Sequence, residues 1–162
     1  MTEREYNECV TNYSDNVYRF IFKNLGHEED ARDVVQSAYE KMWRNRLDVE
    51  TATAKSYLFT IAYNQMIDHI RKNKRISFSE KFPERPASSN PSGTSERSRL
   101  LQEALGTLSE TQRSLVMLKD YEGYDYREIG LITGLNESQV KVYLHRARLQ
   151  LRAYIVKPEN VI

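Results

Sequence analysis

The stretch DYREIGLITGLNESQVKVYLHRARLQLR, residues 125–152, reads as a short helix, a turn at Gly134 and a basic helix, the arrangement that lays one helix in a DNA groove. Asp125, with Glu128 three residues on, forms a capping box that sets the start of the first helix. Ile129, Leu131 and Ile132 supply apolar contacts, and Gly130 leaves room for close backbone approach. Gly134 can end the helix in a left-handed conformation, Leu135 can pack under the turn, and Asn136 with Gln139 makes a second capping box.

Projected at about 100° per residue, the next helix puts Val140, Tyr143, Leu144, Ala147, Leu151 and Tyr154 on one core-facing stripe. The opposite arc carries Ser138, Lys141, Val142, His145, Arg148 and Arg152, with Arg146 at its flank and no acid among them. A lone Lys and Arg run is ordinarily just a solvated face. Solvated faces mix both signs, however, whereas a one-sided cationic face behind a capped two-helix turn suits phosphates and base edges.

The 162 residues could form one or two small domains, and 24 Lys and Arg against 23 Asp and Glu leave a net charge of +1. That average hides a segregation. Residues 1–70 hold eight basic and twelve acidic groups, while RKNKR at 71–75 and the segment 141–157 are basic islands. Between the islands, FSEKFPERPASSNPSGTSER (78–97) replaces apolar periodicity with Pro, Ser, Gly and charge and reads as a linker. A single cysteine, Cys9, excludes an intrachain disulfide and suits a reducing cytoplasm. The acidic, polar N-terminus and the lack of an eighteen-residue apolar run predict a soluble, unexported chain without membrane insertion.

Upstream of the linker, apolar residues recur at three and four with almost no Gly or Pro, so an all-helical N-terminal domain is expected. In a helix over about 28–45, Ala31, Val34, Val35, Ala38, Tyr39, Met42 and Trp43 share one side, and Asp30, Asp33, Gln36, Ser37, Glu40 and Arg44 the other. Such an acidic face beside a large anchor could dock a basic protein surface. A third helix, over about 54–74, is apolar around more than half its circumference, through Leu58, Phe59, Ile61, Ala62, Tyr63, Met66, Ile67 and Ile70. Its remaining arc aligns Tyr57, Asn64, Asp68 and Arg71, followed by Lys72 and further cations, a set that fits unstacked single-stranded bases. A surface helix with a basic end would look similar.

Together these residues resemble the sigma-70 family of bacterial transcription initiation factors, in its small extracytoplasmic-function (ECF) group, over about residues 6–155. Asp30, Asp33, Gln36, Tyr39 and Trp43 follow the order of acids, glutamine, aromatic and tryptophan in the family's second region. YLFTIAYNQMIDHIRK places Tyr57, Leu58, Ile61, Ala62, Asn64, Asp68 and Arg71 on the pattern that comes next, and residues 140–148 match V-K-x-x-L-H-R-A-R of the fourth. Three positions depart from the pattern: Tyr57 where tryptophan is frequent, Thr60 where a basic residue is common, and Val142 where a small polar residue is usual.

The resemblance implies an all-α fold of two small helical domains joined by a flexible linker, the C-terminal one containing a helix-turn-helix. A region 2-like domain would span 1–76, the linker 77–96, and a region 4-like domain 97–162. Asp30, Asp33, Gln36 and Glu40 would bind the β′ clamp helices of core RNA polymerase. The loop over about 46–53, with Tyr57, Asn64, Asp68, Arg71 and Lys72, would hold minus-10 DNA. Ser138, Lys141, Val142, His145, Arg146 and Arg148 would meet minus-35 DNA. The helices around the Ser109 and Gln112 capping box, with Leu115, Val116 and Leu118, would support docking on the β flap, and an anti-sigma factor would be a further partner. No cofactor is expected and polymerase would supply the chemistry. His27, His69 and His145 lie on separate segments, and no Gly-rich phosphate loop occurs. The competing reading is a stand-alone helix-turn-helix regulator, which would have no use for residues 30–75.

Overall fold

The computed structural model describes residues 1–77 and 96–156 of the chain. The linker read over 77–96 therefore lies outside the described residues apart from its two ends. Helix α1, Glu3–Leu25, starts on a capping box in which Thr2 and Glu5 bond each other's backbone amides at 3.1 Å, and it ends at Gly26 with φ 71°. Helix α2, Glu28–Arg44, opens with Glu28, Glu29 and Asp30, which complement the helix dipole. Two 3-10 turns, Arg46–Asp48 and Thr51–Thr53, then lead into α3, Ala54–Ser77.

These three helices pack pairwise because each carries an apolar stripe wide enough to face two neighbours. Val17, Phe20 and Ile21 of α1 meet Ala31, Val34, Ala38 and Met42 of α2 and Leu58, Phe59, Ala62 and Met66 of α3 in one buried cluster. Burying an aliphatic or aromatic side chain of this size contributes about 1.5–3 kcal/mol.

The C-terminal unit begins with α4, Glu96–Gly106, and α5, Glu110–Val116, whose capping box joins Ser109 and Gln112 as expected. The α5 chain continues through a π-helical turn, Met117–Tyr121, before α6, Tyr126–Thr133, and α7, Glu137–Ile155. Leu115, Val116 and Leu118 sit in the core with Ile129, Ile132, Val140, Leu144 and Ala147, so they hold the helices together and offer no surface of their own. Among the described residues there is no β-strand.

Both units contribute to one continuous cluster of buried residues. Helix α3 lies against α6 and α1 against α5. Phe59 stands at the seam, 5.6 Å from the Phe20 ring and edge-on to Tyr124 at 5.4 Å. Polar groups close the remainder: Arg113 donates to the Asn24 carbonyl at 2.6 Å, Ser114 to Asn24 Oδ1 at 3.2 Å, and Arg19 pairs with Glu122 at 2.9 Å. The sequence anticipated two helical units; their direct packing is what the tertiary structure adds.

Candidate nucleic-acid interface

The helix-turn-helix follows its caps and turn, and Ile129 and Ile132 are buried as expected, but Leu131, expected to supply an apolar contact, is 70% exposed. Asp125 accepts from the Glu128 amide at 2.8 Å, half of the expected box. Gly134 takes φ 79° and its amide donates back to Gly130 O at 2.8 Å. The space above Gly130 is filled by the turn itself, since a Cβ there would lie 2.7 Å from Leu135 O. Asn136 and Gln139 make both bonds of their box, at 2.8 and 3.0 Å, so the first turn of α7 is held from two directions.

On α7 the expected inner stripe is buried at Val140, Leu144 and Ala147 and half-buried at Tyr143, Leu151 and Tyr154. Ser138, Lys141, Val142, His145, Arg146, Arg148 and Arg152 are all exposed. Two of the cations have partners from outside the helix. Arg148 Nη2 meets Asp120 Oδ1 at 2.7 Å, and this carboxylate pushes the guanidinium above its ordinary pKa. Lys141 Nζ lies 5.5 Å from the centre of the Tyr126 ring, over which Lys119 also sits at 4.7 Å. Asp120, Lys119 and Tyr126 escaped the sequence reading because they lie on other elements, where helical projection says nothing of α7.

On the N-terminal unit, Asp33, Gln36 and Glu40 are exposed along α2 and form an acidic line, with Gln36 Nε2 3.5 Å from Glu40 Oε1. Asp30 is half-buried and turned toward α3, its Oδ2 3.5 Å from His69 Nε2 and 3.9 Å from His27 Nδ1. His69 in turn lies 3.1 Å from Asn73 Nδ2. Asp30 thus ties the acidic helix to the basic end of α3 as well as bordering the acidic line.

Tyr57 heads the α3 row but, unlike the other residues of that row, is not exposed. It is half-buried and its hydroxyl accepts from Asn45 Nδ2 at 3.1 Å, whereas Asn64, Asp68, Arg71 and Lys72 are exposed farther along the helix. Asn45, Asp48, Val49, Glu50, Thr53 and Tyr57 line a cavity of about 380 Å³ beside the 3-10 turns. Its carboxylates can accept from an exocyclic base amine, and the Tyr57 ring offers a stacking surface. Thr60, where a basic residue was the norm, bonds back to Ser56 O at 2.8 Å and offers its own helix, not a ligand, that hydroxyl.

Nonlocal contacts shape the same loop. Arg46 stacks over Trp43 at 3.8 Å, and Trp43 meets Tyr6 edge-on at 4.9 Å. Thr51 donates to the Glu5 carboxylate, which this bond and the Thr2 bonds hold down at about 2. Leu47 stands 81% exposed in the first turn, a lone apolar side chain in a polar loop that the sequence reading passed over. Among the described residues no group of three or more metal-ligating side chains gathers, and no helix is long and apolar enough to cross a membrane.

Comparison with known proteins matches residues 9–76 to Sigma-70 region 2 and residues 98–151 to Sigma-70, region 4. The ECF RNA polymerase sigma factor SigE of Mycolicibacterium smegmatis is 33% identical over 159 residues, 94% of this chain; the chain spans 62% of that protein's length. The RNA polymerase sigma factor SigV of Bacillus subtilis is 29% identical, with 93% and 91% of the two chains covered. The ECF sigma factor SigL of Mycobacterium tuberculosis is 30% identical, covering 84% of this chain and 80% of SigL. Among solved structures, the sigma factor RpoE in complex with the anti-sigma factor NepR from Bartonella quintana shares the fold. It has a TM-score of 0.78 and 23% identity, with 94% and 97% covered. CnrH in complex with the cytosolic domain of CnrY superposes with a TM-score of 0.69 and 22% identity, with 95% and 89% covered.

Proposed function

The chain belongs to the sigma-70 family of transcription initiation factors, in its ECF group, and from that membership we propose how its two helical units divide the work. It is a sigma factor that binds core RNA polymerase and directs promoter-specific initiation. Polymerase supplies the chemistry and this chain supplies addresses, so the role calls for no catalytic side chain and no cofactor. Its place of action is the cytoplasm, where polymerase and promoter DNA meet.

In this reading residues 1–76 are the polymerase-clamp and minus-10 unit and 97–162 the minus-35 unit. Asp33, Gln36 and Glu40 offer acids to the β′ clamp helices, and Asp30 borders them while bracing α3. The cavity at Asn45 and Tyr57 takes a base of the opened minus-10 strand, with Asn64, Asp68, Arg71 and Lys72 following the strand along α3. Ser138, Lys141, Val142, His145, Arg146 and Arg148 address minus-35 DNA from α7, and the Ser109-capped helices behind them dock on the β flap. An anti-sigma factor is the expected negative partner, as the solved sigma factor RpoE, which shares this fold, is bound by the anti-sigma factor NepR.

The observation that carries this reading is the exposed, one-sided cationic face of α7, held by the Gly134 turn and the double Asn136 cap. A stand-alone regulator would need only that face, and the region 2 match over 9–76 disfavours it. Run-off transcription separates the two. Core polymerase with the purified chain should initiate at a two-element promoter, and the chain alone should bind that promoter weakly. Tight specific binding without polymerase, or no initiation from a verified cognate promoter, would refute the proposal.

A further inference from the structure

The exposed face of α7 is flanked by groups from two other elements that the promoter reading leaves unused. Tyr126 is the first residue of α6, and its ring lies under both Lys119, from the π-helical turn, and Lys141, from α7. Asp120, one residue beyond Lys119, bonds Arg148, two helical turns along α7 from Lys141. Tyr126 is half-buried and packed against the core, so its ring is a fixed platform, while Asp120 is 42% exposed and reaches Arg148 from the side.

We propose that Tyr126 and Asp120 are positioning residues for minus-35 recognition, aiming Lys141 and Arg148 from outside the helix that carries them. The inference rests on the reading of α7 as the minus-35 helix. Lysine and arginine side chains lose considerable rotamer freedom when they engage DNA. A ring under the Lys141 ammonium and a carboxylate on the Arg148 fork restrict that freedom beforehand, so less is lost on binding. Asp120 also sets a condition on the partner: a phosphate reached anywhere on the duplex must compete with it for Arg148, which penalises nonspecific contact more than a correctly docked site. The pair therefore raises discrimination more than affinity.

The test uses holoenzyme, core polymerase with the full chain, on two templates that differ only in an intact or scrambled minus-35 element. The readout is the ratio of initiation from the two. Tyr126→Leu should lower the ratio about two- to five-fold, the range of an exposed cation–π contact. Tyr126→Phe, which keeps the ring, should restore most of it. Asp120→Asn should raise initiation from the scrambled template more than from the intact one and steepen the salt dependence of binding by about 0.9 in log–log slope, one added phosphate contact. Thermal melting of each variant separates aiming from folding. In a Lys141→Met background, Tyr126→Leu should lower the ratio no further; a persisting effect would assign Tyr126 a purely structural role and overturn the proposal. An unchanged ratio for both Tyr126→Leu and Asp120→Asn overturns it equally, and if Tyr126→Leu fails to fold, Asp120→Asn decides. If Lys141→Met itself leaves the ratio untouched, the minus-35 reading of α7 fails and the inference falls with it.

Discussion

Val142 is an exposed valine in the middle of a cationic face, 45% accessible between Lys141 and His145. An apolar side chain there cannot hydrogen-bond a base edge, but its methyls suit the C5-methyl of thymine. Val142→Ala should therefore weaken a thymine preference at one minus-35 position by about 1–2 kcal/mol, at about 0.8 kcal/mol per carbon removed from contact. Selection of promoters from a random library with reconstituted holoenzyme reads that preference directly, and an unchanged profile would remove Val142 from the contact set. Glu5 offers a different test at the same scale. Its carboxyl pKa is lowered to about 2, first by the Thr51 hydroxyl and then by Thr2. A lowered folded-state pKa means the loop tether is fully present above the ordinary carboxylate range and is lost as pH falls through about 2. Carboxyl chemical shifts should place the Glu5 midpoint there, and Thr51→Val should move it upward.

Among elements, the junction of α6 with α7 depends on two glycines with opposite requirements, one within α6 and one in the turn. Gly134 has positive φ and open space around it, so Gly134→Ala should cost about 1–2 kcal/mol of backbone strain. Gly130 is an ordinary helical residue whose missing Cβ makes room for the Leu135 carbonyl at 2.7 Å. Gly130→Ala must push backbone aside, an overpacking that typically costs about 1–3 kcal/mol, and it should also misalign α7. Urea unfolding gives the stability losses. Initiation at minus-35-dependent templates, compared at matched folded fraction, should fall further for Gly130→Ala. On α2 the expectation is of another kind. Asp33→Asn or Glu40→Gln should weaken association with core polymerase and leave promoter choice unchanged, since both carboxylates are exposed and on a different unit from α7. Altered promoter preference in these variants would mean that the faces are wrongly assigned.

For the whole molecule, the seam between the units is the feature with the most leverage. Asn24 is 2% exposed; it donates to Phe20 O at 2.8 Å and accepts from Ser114 across the seam. Asn24→Ala removes both of these bonds, although Ser114 keeps its bond to the Glu110 carbonyl at 2.7 Å, and should cost about 1–3 kcal/mol, about 0.5–1.5 for each bond lost. Trp43 is the single tryptophan and belongs to the N-terminal unit, so its fluorescence follows that unit while ellipticity follows all helices. The two unfolding curves should coincide in the wild type, as expected of a shared core, and separate in Asn24→Ala or Phe59→Ala. Coincident curves in the variants would show that the units remain coupled without these contacts.

How much could be read beforehand differs by the range of the interaction. Helices α2, α3 and α7 were legible because an apolar stripe at three and four is a property of neighbouring residues, and the Gly134 turn because caps act over three residues. The exposed α7 set emerged complete for that reason. Tyr57 joining Asn45, Asp30 turning to His69, and Asp120 reaching Arg148 were not legible, since each bond links residues on different elements. Local pattern specifies the helices, their apolar stripes, the family and the polar faces left to solvent. Long-range packing is what seats Tyr124 of the other unit on Phe59, read simply as buried, and brings a neighbouring element's charge to the α7 face. Periodicity specifies which side of a helix avoids water; it carries no information about which distant surface covers it.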